Sequence, residues 1–495
     1  MSGKTTVANS IPFTREQLER EDLVMFINTC FAATNQHEYY NDGLTESISV
    51  QFLHEYVLYN YRRLYSLCLG LQINHFNKQT IIINLLASGV PATEFRREEG
   101  KLIAEALQQL PANRAFSVLD SLAKRKINNR RCRAIVKEYL SSRKDSAFDT
   151  VKYRRQYRSI ARHAHLDVGE ETSDLLFGLK KQSSYSIPLF ETYRQAHYSK
   201  TAVYQLPYSI AEGFAQRHNI PRDEFLRRIA PMMTPHEKLR MQNAATRQAA
   251  RLTGKHGELA IDLGTTSLTR LALYVLSLPL KERTARALEL HESLQRAAIR
   301  VQKRHPITSN RVAAVLDASR SARGSRQKLN RPFAIALGVH YLLQAGCGAY
   351  QAFWTPSDDR PDHYPFLREA EGATALADPV IDALQWQPDL LVIVSDGYEN
   401  DPPDSVNRIV IAAQKYITGT RETEIVHANP VFDPEHFSPR PLGNAIPTVG
   451  LRDVEDLPTM LEFSGFVSGQ LTLAQLENYL LTTTAQGNLP QSLSK

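Results

Sequence analysis

Residues 312–325 read VAAVLDASRSARGS, and this stretch decides the fold of the C-terminal part of the chain. An uninterrupted apolar run reaches Asp317, and two hydroxyl side chains follow at Ser319 and Ser321. Such a run is typical of a strand that is buried on both faces of a parallel sheet. The stretch therefore predicts a buried strand that ends on three oxygen-bearing side chains at alternate positions.

After residue 306 the pattern alternates between strands and helices. Further strands are predicted over 348–356, 389–397, 423–432 and 444–451, with helices over 331–346 and within 372–386. The strand over 389–397, DLLVIVSDG, again ends on an acid, Asp396. This alternation predicts a doubly wound, Rossmann-like α/β domain over 306–465.

The polar residues at the strand ends predict a metal site. In doubly wound sheets, ligands bind outside the carboxyl ends of the strands, where the strand order reverses. Two carboxylates and three hydroxyls at that edge suit Mg²⁺ or another divalent cation, which prefers oxygen ligands. The predicted metal ligands are Asp317, Ser319, Ser321, Thr374 and Asp396. The alternative is a serine-rich turn with an aspartate helix cap, which explains each residue singly but not their convergence.

This set resembles the metal-ion-dependent adhesion site of von Willebrand factor A domains. DASRS at 317–321 matches the DxSxS motif, Thr374 matches the loop threonine, and Asp396 matches the distant aspartate. The resemblance covers about residues 310 to 465 and preserves the order of the motifs. Arg320 departs from the pattern, because many members carry a small residue there.

The chain from about 50 to 305 has a different pattern. Its segments place apolar residues at three- and four-residue spacing, which predicts short helices, and Pro111, Pro221 and Pro279 fall in the connections. Without intervening strands, residues 46–305 are predicted to form a HEAT-like α-helical repeat domain. An N-terminal segment (1–45) precedes this domain, and a C-terminal helix and tail (466–495) follow the α/β domain. The predicted fold class is therefore α plus α/β.

The two parts differ in charge. Residues 306–495 hold 14 Lys and Arg against 22 Asp and Glu, a net charge of −8, whereas residues 1–305 have a net charge of +15. Residues 121–165, called here the basic segment, contain fourteen basic residues and only three acidic ones. Like charges at this density repel one another, which favours a polyanionic partner such as RNA. The alternative is a solvated basic surface.

Aromatic residues interleave with these arginines. Tyr153 and Tyr157 would stack on unpaired bases if they are exposed, or belong to the core if they are buried. The residues predicted to contact RNA are Lys152, Arg155, Arg162, His165, Arg130, Arg131, Arg133, Arg154 and Arg158.

A basic helical-repeat domain followed by a von Willebrand A domain is similar to the Ro autoantigen, or TROVE, family. Lys152-Tyr153-Arg154, followed by Arg162-His163-Ala164-His165-Leu166, resembles part of the family's Y RNA site, with a shorter gap. The resemblance assigns Lys152, Arg162 and His165 as RNA contacts. Arg155 substitutes for the family arginine, which falls on Gln156. It further implies a ring of helices that binds misfolded RNA ends in its hole and Y RNAs on its outer rim.

The expected function is therefore non-enzymatic binding of small structured non-coding or misfolded RNA, in RNA quality control or processing. The resemblance implies that the metal site binds a protein partner, for which an RNA-processing enzyme is one candidate. No DNA or membrane partner is predicted, and no catalytic residues are assigned. Two alternatives stay open: a protein–protein adaptor without RNA function, and a metal-dependent RNA-processing enzyme.

The expected location is the cytoplasm. The start, MSGKTTVANS, lacks the apolar core of a signal peptide. The most apolar stretch, 80–90, is half the length of roughly 20 residues that a membrane span needs. Four cysteines lie far apart, without a CxxC motif, which fits a reducing compartment.

Overall fold

The computed structural model describes most of the chain. The described residues are 14–33, 43–71, 73–91, 93–178, 183–234, 237–238, 241, 266–307, 309–356, 363–399, 402–416, 423–435, 437–469 and scattered positions from 472 to 481. Of the predicted N-terminal segment and C-terminal tail, residues 1–13, 34–42 and 482–495 lie outside this part.

The described residues before position 305 form helices, as the apolar spacing predicts. These are α1 (Arg15–Ala32), α2 (Gly43–Asn60), α3 (Arg62–Leu67), α4 (His75–Ala87), α5 (Arg96–Gln109), α6 (Ala112–Lys124), α7 (Arg130–Ser141), α8 (Ser146–Lys152), α9 (Arg154–Ala164), α10 (Glu170–Phe177), α11 (Pro188–Gln195), α12 (Lys200–Val203), α13 (Tyr208–Arg217), α14 (Arg222–Ile229), α15 (Leu268–Ser277), α16 (Leu280–Ala285) and α17 (Ala287–Arg304). Pro111, Pro221 and Pro279 each stand immediately before a helix, which confirms their predicted place in connections.

Helices two apart in the chain pack against each other in the first part of this region. α2 packs on α4 and α4 on α6, while α3 packs on α5 and α5 on α7. The apolar faces of these helices enter the main core, with Ile103, Phe116 and Leu119 almost fully buried. Phe190, Tyr208 and Phe225 anchor a second, smaller core built mainly from α11 to α14.

The C-terminal part contains a five-stranded parallel sheet. Its strands are β1 (Arg311–Asp317), β2 (Ala349–Thr355), β3 (Leu390–Val394), β4 (Glu424–Asn429) and β5 (Thr448–Gly450), in the order β2-β1-β3-β4-β5. Each predicted strand is confirmed. The flanking helices are α18 (Arg331–Gly346), α19 (Ala377–Gln385), α20 (Ser405–Tyr416) and α21 (Leu457–Val467). Together with the helices before residue 305, this architecture is consistent with the α plus α/β class.

Both ends of the helical region contact the sheet region. α18 is buried along most of its length because it lies between the sheet and helices α15 and α17. At the other end, α1 packs on β5, where the Asn28 side chain donates to the Thr448 carbonyl (3.1 Å) and accepts from the Gly450 amide (2.8 Å). Asn28 therefore satisfies backbone groups at the edge strand of the described sheet.

The C-terminal segment contributes to the main core. Leu476 and Leu480, in the predicted C-terminal helix, are buried in the main core, so this segment packs against the rest of the fold. Within the described ranges, no helix combines the length and the apolar character needed to cross a membrane.

Candidate metal centre and nucleic-acid interface

Asp317 and Asp396 meet because their strands are neighbours. β1 and β3 run parallel, with Leu316 opposite Val394, so the residues that follow each strand emerge side by side at the carboxyl edge. β1 also pairs with β2 on its other side, so the strand order reverses at this point. This is the place where doubly wound sheets bind ligands.

The predicted metal ligands converge there. The backbone N–H of Ser319 donates to Asp317 Oδ1 (2.8 Å), and the Ser319 and Ser321 hydroxyls lie 3.2 Å apart. Thr374, from the loop before α19, donates to the Ser319 hydroxyl (2.9 Å). All five side chains are buried, and both aspartates are only 3 % exposed. Three separate loops supply these oxygens, and this convergence is the feature that a serine-rich turn with an aspartate helix cap does not explain.

The two carboxylates are electrostatically costly in this position. Burial raises the pKa of Asp317 to about 7, and the neighbouring Asp396 adds to the rise. Burial likewise raises the pKa of Asp396, although the Ser321 hydroxyl and the Tyr398 amide oppose the shift. In the described part of the chain neither carboxylate forms an ion pair. A buried pair of this kind binds either a proton or a cation.

The residues present fit a hard divalent cation. Asp396 Oδ2 is buried and has no hydrogen-bond partner among the described residues, which makes this oxygen a candidate ligand for the cation. Two carboxylates and three hydroxyls form an all-oxygen donor set. No cluster of three or more His, Cys, Asp or Glu side chains suited to a metal occurs among the described residues. A cation here would therefore depend on hydroxyl oxygens as well as on the two carboxylates.

Arg320 does not compete for this site. Its side chain is exposed, and in the described part of the chain it forms no ion pair with either aspartate. Its backbone amide instead donates to the Gly372 carbonyl (3.0 Å), which links the loop after β1 to the loop that carries Thr374. The amide of Glu371 donates in the opposite direction, to the Ala318 carbonyl (3.1 Å).

A buried histidine supports the turn that carries Asp396, and the sequence analysis missed it. His427 Nε2 lies 3.0 Å from the Ser395 hydroxyl, and His427 Nδ1 lies 3.1 Å from the Thr448 hydroxyl. Burial lowers the pKa of His427 to about 4, so its ring is neutral at physiological pH. The histidine therefore orients the turn by hydrogen bonding, without adding charge beside the aspartates.

The second candidate site is a groove of about 880 Å³ beside α9. α9 buries Tyr157, Ile160, Ala161 and Ala164, so its polar face points outward. Arg155, Arg158 and Arg162 follow one another at three- and four-residue spacing on that face and line the groove. Lys124 and Lys152 line it as well. This wall, Lys124, Lys152, Arg155, Arg158 and Arg162, is called the basic groove below.

Four of the nine predicted RNA contacts therefore share one surface. These are Lys152, Arg155, Arg158 and Arg162. Arg130, Arg131, Arg133, Arg154 and His165 do not line the groove. Of these five, Arg154 lies over the ring of Tyr193, with Cζ 5.2 Å from the ring centroid. Arg130, Arg133 and His165 are exposed elsewhere on the same helices or at their ends.

Arg131 has a structural partner. Its guanidinium donates to Glu99 Oε1 (2.6 Å), and Arg62 pairs with the same carboxylate from the other side (2.9 Å). The Glu99 side chain is fully buried, so both arginines compensate a charge inside the fold. Sequence spacing did not reveal this, because Glu99 lies on α5 and Arg131 on α7.

The tyrosines of the basic segment belong to the core. Tyr157 is only 7 % exposed, and the ring of Tyr153 stacks on Phe116 at a centroid distance of 4.5 Å. Of the two alternatives for Tyr157, base stacking is excluded and core packing is confirmed, because its ring is packed inside the fold. Tyr153 reaches the groove wall, but one face of its ring is already covered by Phe116.

Comparison with models of known protein families gives no match, and a search of curated proteins gives none either. The two candidate sites therefore rest on their own geometry.

Proposed function

We propose that this protein binds RNA through the basic groove and holds a divalent cation at the edge of its sheet for contact with a protein partner. The RNA would be small and structured, of the Y RNA type, or misfolded. Such binding suits a ribonucleoprotein that acts in RNA quality control or processing.

One observation carries the RNA proposal: three arginines face the same groove without internal neutralisation. In the described chain Arg155, Arg158 and Arg162 form no ion pair, although each is exposed. The acid that lines the groove, Asp120, is paired with Lys124 (2.7 Å). Repulsion among the arginines is relieved when phosphates release their counterions and take their place. Because the groove wall is mainly basic and the ring of Tyr153 is covered on one face by Phe116, binding would depend on charge and shape more than on base identity.

The resemblance to the TROVE family supplies the wider proposal. Packing between helices two apart supports a helical repeat. The contacts of α1 and α15 with the sheet region support an arrangement in which both ends of the helical region return to one place. The strand order β2-β1-β3-β4-β5 and the convergent oxygens support a von Willebrand A domain. The helical region would then bind the RNA, and the sheet region would bind the protein partner.

The metal centre would be held by Asp317, Ser319, Ser321, Thr374 and Asp396. A bound cation would supply a Lewis-acidic position for an oxygen of a partner protein. The chain's own residues orient that position: His427 holds the turn of Asp396, and the Gly372 and Ala318 carbonyls tie the two ligand-bearing loops together. This role is binding, and no catalytic step is assigned to it.

A gel-shift titration tests the proposal directly. The full-length chain is mixed with a structured hairpin RNA and with a single-stranded RNA over a range of salt concentrations. Retention of the hairpin at about 100 mM salt, with a steep loss at higher salt, is the expected result. Absence of any complex at that salt concentration contradicts the RNA proposal. Shortened RNA after incubation with Mg²⁺ would instead favour the processing enzyme.

A further inference from the structure

A buried arginine of the helical region holds the loop that carries Thr374. Arg283, on α16, is only 5 % exposed, and its Nη1 atom donates to the backbone carbonyls of Phe366 (2.5 Å) and Arg368 (3.1 Å). Its Nη2 atom lies 3.7 Å from the carboxylate of Glu369. Burying a guanidinium costs free energy unless it is hydrogen-bonded, and here the acceptors come from a loop of the sheet region. Arg283 therefore joins the helical region to this loop.

A second helix holds the same stretch of the loop. The ring of His291, on α17, lies edge-to-face against the ring of Tyr364 at a centroid distance of 5.3 Å. His291 Nδ1 lies 2.8 Å from the hydroxyl of Tyr341, which is almost fully buried on α18. Residues 363–374, called here the Thr374 loop, are thus fixed at one end by side chains of the helical region.

The other end of the Thr374 loop lies at the metal centre. The backbone amide of Glu371 donates to the carbonyl of Ala318 (3.1 Å), the residue that follows Asp317. The Thr374 hydroxyl donates to the Ser319 hydroxyl (2.9 Å). The loop therefore connects α16 with the predicted metal ligands through a continuous set of contacts.

We propose that Arg283 is a positioning residue of the metal centre, and that it makes cation binding depend on the docked helical region. Coordination fixes the Thr374 hydroxyl, and ordering a loop costs conformational entropy. Because Arg283 already holds the loop, the cation meets an ordered hydroxyl and binds more tightly. By linkage, the bound cation strengthens the contact between α16 and the loop by the same factor. This inference rests on the metal centre proposed above and adds its regulation by the helical region.

The alternative is that Arg283 only fastens the two regions together. The chain offers a matched contact at another place to separate these roles. Asn28 joins α1 to β5 through two hydrogen bonds with backbone groups, and β3 and β4 lie between β5 and β1 in the sheet. A variant at Asn28 therefore loosens the same two regions at a site remote from the Thr374 loop.

Isothermal titration of MgCl₂ into the full-length chain tests the inference, at a temperature where circular dichroism shows each variant to be folded. Arg283→Met should bind Mg²⁺ about 10-fold more weakly than the wild type, the loss expected for one charge-assisted hydrogen bond. Arg283→Lys should fall between the two, because it keeps the charge without the planar fork. Asn28→Ala should lower the melting temperature and leave the Mg²⁺ affinity unchanged. Equal affinity in Arg283→Met and the wild type, or an equal loss in Asn28→Ala, would overturn the inference.

Hydrogen exchange gives a test that needs no variant of Arg283, whose replacement could prevent folding. In the wild-type chain Mg²⁺ should slow the exchange of amides in the Thr374 loop and, through linkage, in α16, while α6 exchanges as before. Asp317→Asn, which removes a proposed ligand, should show no slowing in either element. Slowing that is confined to the loop, with α16 unchanged, would show that cation binding is not transmitted and would contradict the inference. If Mg²⁺ neither binds to the wild-type chain nor slows exchange, the proposed metal centre itself fails.

Discussion

Thr374 donates a 2.9 Å hydrogen bond to the hydroxyl of Ser319, although 55 residues separate them in the chain. Both side chains are almost fully buried, and both lie beside the carboxylates of Asp317 and Asp396. Burying these hydroxyls and carboxylates costs free energy because each loses its hydration, unless hydrogen bonds, an opposite charge or a metal ion replace the lost water.

Asp317→Asn should abolish stabilisation by Mg²⁺, because it removes one of the two charges that hold the cation. For the wild-type chain, Mg²⁺ at about 100 times its Kd should raise the free energy of unfolding by about 2.7 kcal/mol. Thermal unfolding with and without Mg²⁺ measures this difference. Asp382→Asn, at an exposed position of α19, is the control and should respond as the wild type does. RNA affinity should be equal in all three proteins; its collapse in Asp317→Asn would show that the two sites are coupled.

Without a metal ion, the contribution of Asp317 to the free energy of unfolding should fall as the pH rises from about 4 to 7. The pKa of Asp317 is raised from 3.8 to about 7, so in this window the unfolded chain has released a proton that the folded chain still holds. Urea unfolding against pH isolates this contribution as the difference in free energy of unfolding between the wild-type chain and Asp317→Asn, which should shift in favour of the variant as the pH rises. Other groups with a shifted pKa, such as Asp456 and His427, act equally in both proteins. Mg²⁺ should stabilise the protein more at about pH 8 than at about pH 6, since the cation must displace that proton. An equal Mg²⁺ effect at both pH values would argue against coordination by Asp317.

Replacing Arg155, Arg158 and Arg162 together by Gln should weaken RNA binding and lower its dependence on salt. If the three arginines contact three phosphates, the slope of log affinity against log salt should fall by roughly 2 to 3. Arg96→Gln with Arg97→Gln, at exposed positions on α5, is a control for the loss of surface charge. The double variant Lys152→Ala with His165→Ala should also weaken binding while the chain stays folded. Unchanged affinity in both the triple and the double variant would place the RNA site elsewhere.

Arg131→Met should destabilise the fold, by about 2 to 3 kcal/mol, because the buried carboxylate of Glu99 would retain only Arg62 as its partner. Arg130→Met is the control. The Arg130 side chain is exposed, so this substitution should change the free energy of unfolding by less than about 0.5 kcal/mol. Chemical denaturation measures both. A stable Arg131→Met variant with reduced RNA affinity would instead make Arg131 an RNA contact.

The sequence predicted most of the elements because their signals are local. An apolar run that ends on an acid identifies a buried strand of a parallel sheet, and such runs were recognised at β1 and β3. Parallel strands also place their carboxyl ends at one edge, which is why the sequence alone predicts that Asp317, Thr374 and Asp396 lie close together. Spacing of three and four residues likewise identified the helices, with prolines between them.

The partners of individual charged side chains could not be predicted in the same way. The basic segment has the same composition whether an arginine faces solvent or an acid on another helix. Arg131 and Arg155 look alike in sequence, yet one neutralises Glu99 and the other lines a groove. Tyr157 was open between base stacking and core packing, and only the position of Phe116 placed it in the core.

The amino-acid sequence by itself determined the two kinds of architecture, the oxygen-bearing ends of the strands and the segregation of charge, because periodicity and composition act along the chain. Only the tertiary structure decided which cations remain available to a ligand, how Arg283 comes to hold the loop of Thr374, and how His427 supports the turn of Asp396. These relations join residues on different elements, and their energies depend on distance and burial, which arise when the helices and the sheet pack together.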